Sequence, residues 1–166
     1  MYDLKNKIKS RLSAKHVRLS IRLTLVSLSF YLERMSKEFK PTGYNSVSPY
    51  FVVAGAEQWI TLMRTIFGAT EMRRYTNDNG GIAHVELRID DSIIMVSEAT
   101  ANYPANEFLM HVYVPDVHST FRKAIEAGCQ SVQEPVQKNG DPDMRGMFKD
   151  PAGHTWAVST QADTSK

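Results

Sequence analysis

The chain has 166 residues, 42% hydrophobic and 23% charged, which suits one globular domain with a sizeable core. Its single cysteine, Cys129, excludes an intrachain disulfide framework and a cysteine-based zinc site. The net charge of +2 is unevenly placed: residues 1–34 carry eight Lys/Arg against Asp3 and Glu33, so the remainder is mildly acidic, which argues against nucleic acid as a partner.

Residues 1–34 differ in character from the rest of the chain. The stretch from Val17 to Leu32 is apolar, but Arg18 and Arg22 interrupt it, and the unbroken part is too short to span a bilayer. Its basic start resembles a signal peptide, yet no small-x-small cleavage site comes after it. An organellar address and a basic amphipathic surface segment are alternatives. The reading preferred is an extension, residues 1–41, outside the domain, with Met35 as a second possible start. His16 belongs to this extension. The domain spans residues 42–161 and a tail spans 162–166. No membrane partner is expected, and the location expected is cytoplasmic.

In chain order, the first strand is predicted over residues 44–54. Gly55-Ala56-Glu57 then opens a helix to Phe67, with Trp59, Ile60, Met63, Ile66 and Phe67 at helical spacing. A second strand covers 71–76. Asn77-Asp78-Asn79-Gly80-Gly81 is a turn rather than a phosphate loop. Strands at 82–89 and 92–98 meet at Asp90-Asp91. Val85, Leu87 and Ile89 share one face; His84, Glu86 and Arg88 share the other. With a two-residue turn, Glu86 falls opposite Met95 and His84 opposite Ser97. After a linker at 99–106 comes a strand over 108–114, with Phe108, Met110, Val112 and Val114 on one face and Leu109, His111 and Tyr113 on the other. Asp116 caps a helix to Ala127, with Phe121, Ala124 and Ile125 inward. Strands at 131–135, 144–149 and 155–160 complete the chain. Trp156 is expected in the core, His118 in solvent, His154 in a turn as a surface or packing residue, and Cys129 as a small buried side chain rather than a reactive thiol.

This pattern is β-α-β-β-β written twice. Val53 and Val114 lie 61 residues apart, and Val96 and Val158 lie 62 apart. A repeat of this length is a duplicated supersecondary unit, and neither copy buries its apolar face alone. The fold class expected is α+β, with two tandem βαβββ modules.

Tyr50 to Gly55 with the helix to Phe67-Gly68-Ala69, the run His84–Ile89, the run His111–Val117, and Asp150-Pro151-x-Gly153-His154 together resemble the vicinal oxygen chelate superfamily. That superfamily includes glyoxalase I, extradiol dioxygenases, fosfomycin-resistance proteins and bleomycin-binding proteins, and the details look most like its PhnB-like branch. The resemblance implies a glyoxalase-like half-open barrel around a cavity, and a homodimer. Its metalloenzymes take ligands from the first and last strand of each module. Here those positions hold Ser48, Met95, Leu109 and Ala157. Neutral Ser is a poor ligand, Met is soft, and Leu and Ala carry no donor. No cofactor is therefore expected, and metal-based lyase or dioxygenase chemistry is placed in doubt.

By alternation, the cavity face carries Ser46, Ser48, Tyr50, His84, Glu86, Arg88, Met95, Ser97, Leu109, His111 and Tyr113, a mixture suited to a small organic ligand. Three readings stay open. These groups bind a ligand without metal, in the manner of a sequestering protein. Or His84, Glu86 and His111 form a displaced divalent metal site in a lyase-, isomerase- or dioxygenase-type enzyme. Or Glu86 merely pairs with Arg88 or His84 on a solvated face of a dimerisation scaffold. Whether any reaction is catalysed stays open with them.

Overall fold

The computed structural model describes residues 39–161. Nearly all of the N-terminal extension, including His16 and Met35, and the tail at 162–166 lie outside the described residues. Contacts divide the chain into two units, and the one that holds both modules begins at Gly43. Among the described residues no helix is long and apolar enough to cross a membrane.

The first module runs β1 (Tyr50–Val53), α1 (Ala56–Phe67), β2 (Thr70–Thr76), β3 (Ile82–Ile89) and β4 (Ser92–Glu98). The second runs β5 (Leu109–Tyr113), α2 (Val117–Glu126), β6 (Gln130–Gln137), β7 (Asp143–Lys149) and β8 (Thr155–Gln161). Each makes a mixed four-stranded sheet, ordered β1-β4-β3-β2 and β5-β8-β7-β6. In each the first and last strands pair in parallel and the rest antiparallel. This is the tandem βαβββ arrangement expected. It is half-open because the edge strands β1 and β5 belong to separate sheets.

The duplication extends to register. Tyr50 and Glu86 both lie opposite Met95, and their counterparts His111 and Met147 both lie opposite Ala157. Each repeat partner is thus displaced by 61 or 62 residues, as the valines foretold.

Local chemistry explains the boundaries. Gly55 and Gly68 flank α1 with positive φ of 80° and 65°, a conformation glycine adopts at no steric cost. The Glu98 carboxylate, from the end of β4, accepts the Gly55 and Ala56 N–H groups, both at 2.8 Å. It satisfies orphan donors and complements the positive end of the helix. At α2 the predicted cap holds: Asp116 accepts the Ser119 N–H at 3.0 Å. Two expectations change. β1 begins at Tyr50 rather than 44, because Pro49 donates no N–H to a ladder and residues 43–49 form no strand. Ile125 is 37% exposed; buried Thr120 joins Phe121 and Ala124 on the inner stripe of α2 instead.

One apolar core serves both modules. Phe51, Val53, Val85, Leu87 and Val96 meet Phe121, Phe148, Trp156 and Val158, and Met110 and Val112 pack against its margin. At its centre the Phe51 and Trp156 rings stack 5.7 Å apart. Trp156 is fully buried, as expected. Cys129 is buried too, and burial pushes its thiol up to about 12, so it is inert at neutral pH.

Candidate functional site

The strand pleat turns Val85, Leu87 and Ile89 into the core and leaves His84, Glu86 and Arg88 on the opposite face of the first sheet. Register brings neighbours to them: Arg73 of β2 lies beside Glu86, Tyr75 beside His84, and Tyr50 and Met95 complete the row. Ile93, fully buried opposite Arg88, gives this face an apolar floor.

Glu86 is the centre of the group and is only 4% exposed. This overturns the reading of a simply solvated face: its pairing with His84 exists, but the carboxylate is out of solvent. The Tyr44 hydroxyl donates to its Oε2. His84 Nε2 lies 3.3 Å and Arg73 Nη1 3.5 Å from its Oε1. Burial pushes the Glu86 carboxyl up, but the Tyr44 hydrogen bond, the His84 hydrogen bond and the Arg73 charge outweigh it and hold it below the usual carboxylate range. The same bond to Glu86 is the main cause raising the Tyr44 phenol above its ordinary value.

His84 links this carboxylate to the open side. Its Nδ1 is 2.9 Å from the Tyr50 hydroxyl. A neutral ring protonated on Nε2 satisfies both contacts, donating to Glu86 and accepting from Tyr50. Its ring lies close to those of Tyr50 and Tyr75, with centroids at 5.4 and 6.1 Å. Arg88 is turned aside and donates to the Gly43 carbonyl at 3.2 Å.

The second sheet carries a different set. His111 Nε2 and the Ser159 Oγ are 3.0 Å apart, and Arg145 Nε donates to that Oγ at 3.1 Å. Ser159 therefore accepts from Arg145 and shares a second hydrogen bond with the His111 ring. Tyr113 donates to Asp143 at 2.8 Å, and this bond is the main cause raising its phenol. Leu109 is 69% exposed.

The structure thus groups Tyr50, His84, Glu86, Arg88 and Met95 on one face, and Leu109, His111 and Tyr113 on the other. His84 and Glu86 meet; His111 stands on the separate sheet, engaged with Ser159. Among the described residues no three His, Cys, Asp or Glu side chains form a metal-holding group. The family's chelating positions, Ser48, Met95, Leu109 and Ala157, do not fit a divalent cation: Ala157 is buried without a donor and Leu109 projects outward. A cleft of about 400 Å³ lies between residues 45–49, the β3–β4 turn and β5, with Ile93 of the first sheet and His111 and Tyr113 of the second on its wall.

Tyr44, Arg73 and Tyr75 escaped sequence reasoning. Arg73 and Tyr75 share a strand face, but bulges in the β2–β3 pairing blur the register that places them. Ser159 and Arg145 were accessible through the repeat, since they are the counterparts of Ser97 and His84. His118 is exposed and His154 is fully buried in packing.

Two βαβββ units sharing a core define a glyoxalase-like protein. The chain belongs to the Glyoxalase/Bleomycin resistance protein/Dioxygenase superfamily, whose family model matches residues 44–158. No curated protein matches it. Among solved structures it is similar to TioX from Micromonospora sp. ML1, at 20% identity over 70% of this chain and 99% of that one, with a TM-score of 0.56. It is similar to TnmS3, an antibiotic binding protein from Streptomyces sp. CB03234, at 15% identity over 71% and 98%, TM-score 0.55. It is also similar to the fosfomycin resistance protein FosX from Mesorhizobium loti, at 16% identity over 72% and 94%, TM-score 0.51. At these identities the likeness is one of fold.

Proposed function

We propose that the protein is a PhnB-like member of its superfamily that binds a small organic molecule on its concave faces, without the family's metal. The observation that carries this reading is the contrast between two residue sets. The four chelating positions hold Ser, Met, Leu and Ala, whereas Tyr50, His84, Glu86 and Met95 place convergent polar and aromatic groups over an apolar floor. Similar folds include an antibiotic binding protein, which supports a role in binding a small molecule. Tyr50, Leu109 and Tyr113 lie exposed on the two faces, a pattern that supports a homodimer in which a second copy covers them. The free Cys129 suits a reducing, cytoplasmic setting.

The test combines elemental analysis of the purified protein with thermal shift. The reading expects no stoichiometric metal, no shift with zinc, nickel, manganese or iron(II), and a raised melting temperature with bleomycin-type drugs or aromatic metabolites. Stoichiometric metal that is lost in Glu86→Ala would replace it with the displaced-site enzyme.

A further inference from the structure

The first concave face already holds a phenol. Residues 43–49 form no strand, and their middle is open to solvent, with Val47 82% exposed. The segment is fixed at one end where Pro49 accepts the Met95 N–H at 2.9 Å, and at the other where Gly43 accepts from Arg88. Between these points Tyr44 reaches onto the face. Its hydroxyl donates to the buried Glu86 carboxylate, and its ring lies 6.0 Å from the Arg73 guanidinium.

Those two contacts are what the face offers a ligand: a desolvated carboxylate that accepts an O–H, and a cation beside an aromatic ring. Tyr50, Tyr75 and His84 extend the aromatic wall. We propose that residues 43–49 are a displaceable strap, that Tyr44 is an internal stand-in for the ligand, and that this site takes a hydroxyaromatic compound which donates to Glu86 as Tyr44 swings out. The proposal rests on the small-molecule reading of the concave face and names its ligand class.

The test uses the full chain with 2-naphthol and with 2-methoxynaphthalene, which has the same rings and no donor. Wild type should prefer 2-naphthol by about tenfold, the value of a hydrogen bond to a charged acceptor. Tyr44→Ala removes the competitor and should bind 2-naphthol about tenfold tighter. Tyr44→Phe, which keeps the ring, should fall between, and Glu86→Gln should narrow the preference. In chain labelled with 3-fluorotyrosine, the fluorine resonance lost in Tyr44→Phe identifies Tyr44, and it should shift towards the solvent value as 2-naphthol saturates. Equal affinity for both compounds in wild type and Tyr44→Ala, or an unmoved Tyr44 resonance at saturation, overturns the proposal while leaving a general ligand cavity intact. If neither naphthalene binds, nor any bleomycin-type drug or aromatic metabolite, both readings fall.

Discussion

Asp150 Oδ2 accepts the Trp59 indole N–H at 2.9 Å across 91 residues of sequence, and accepts the Trp156 indole at 3.0 Å as well. One buried carboxylate thereby joins the helix of the first module to the last strand of the second. Its other oxygen accepts the His154 N–H at 2.9 Å, which closes the turn before β8. The Asp-Pro-x-Gly-His segment is therefore an intermodule clasp as much as a turn.

Asp150→Ala strands two buried indole donors and one backbone donor. Each uncompensated group costs about 1–3 kcal/mol, so the loss should exceed about 3 kcal/mol in a urea titration. Asp150→Asn keeps one carbonyl oxygen and should cost roughly half as much. Equal, small losses in both would show that the clasp carries no weight.

His154 predicts an acid-sensitive limb. It is fully buried, its Nδ1 accepts the Phe108 N–H at 3.2 Å, and its Nε2 has no partner among the described residues. Burial holds its pKa below the ordinary 6.5, against the opposing pull of Asp150 and Glu107. The unfolded chain then takes up a proton more readily than the folded one. Stability is complete above pH 6.5 and falls as pH drops from there towards the folded value. His154→Gln retains an acceptor without titrating, so urea midpoints should flatten over this window; an unchanged slope would assign the limb to other groups.

Glu98 should matter more than its place at a strand end suggests. It supplies α1 with the N-terminal acceptor that Gly55 lacks. Glu98→Ala should cost about 1 kcal/mol, in the range of a lost helix cap, and Glu98→Gln should recover part of it. Amide exchange at Gly55 and Ala56 reads the loss locally.

Legibility tracked how local the determining forces are. The bounds of β3 and β4 were readable to the residue because Val85-x-Leu87-x-Ile89 alternates without exception and Asp90-Asp91 closes a tight turn. The Asp116 cap and the Asn77–Gly81 turn were equally local. The face that carries His84, Glu86 and Arg88 was readable on β3 for the same reason. Tyr44 was not, because nothing in its neighbourhood specifies a partner 42 residues away. Pro49 was the one signal that residues 43–49 do not extend β1, and the apolar Tyr50–Val53 run masked it.

Gly146 tests how closely α2 seats on its sheet. A Cβ there would meet a Phe121 ring carbon at 3.0 Å and Pro135 Cγ at 3.1 Å. Both neighbours are stiff: Phe121 is wedged in the core and Pro135 is a ring on β6. Gly146→Ala should therefore cost about 1–3 kcal/mol through overpacking, although alanine suits a strand better than glycine. A neutral effect would mean that α2 can lift without penalty.

Glu86 tests whether the site is held by its charge. Its partners outweigh burial, so its folded pKa lies below the ordinary 4.5. Stability from this charge is complete above pH 4.5 and is lost as pH falls through the folded value, a window below that of His154. Glu86→Gln should lower stability at pH 7 by about 2 kcal/mol, the scale of a hydrogen bond to a charged group, and flatten the limb below pH 4.5. It should leave the limb below pH 6.5 untouched, because His154 sits in the core and Glu86 on the opposite face. A double variant with His154→Gln should flatten both limbs additively. If Glu86→Gln instead stabilises the protein at pH 7, desolvation outweighs the Tyr44, His84 and Arg73 contacts, and the carboxylate is kept for what it binds rather than for the fold.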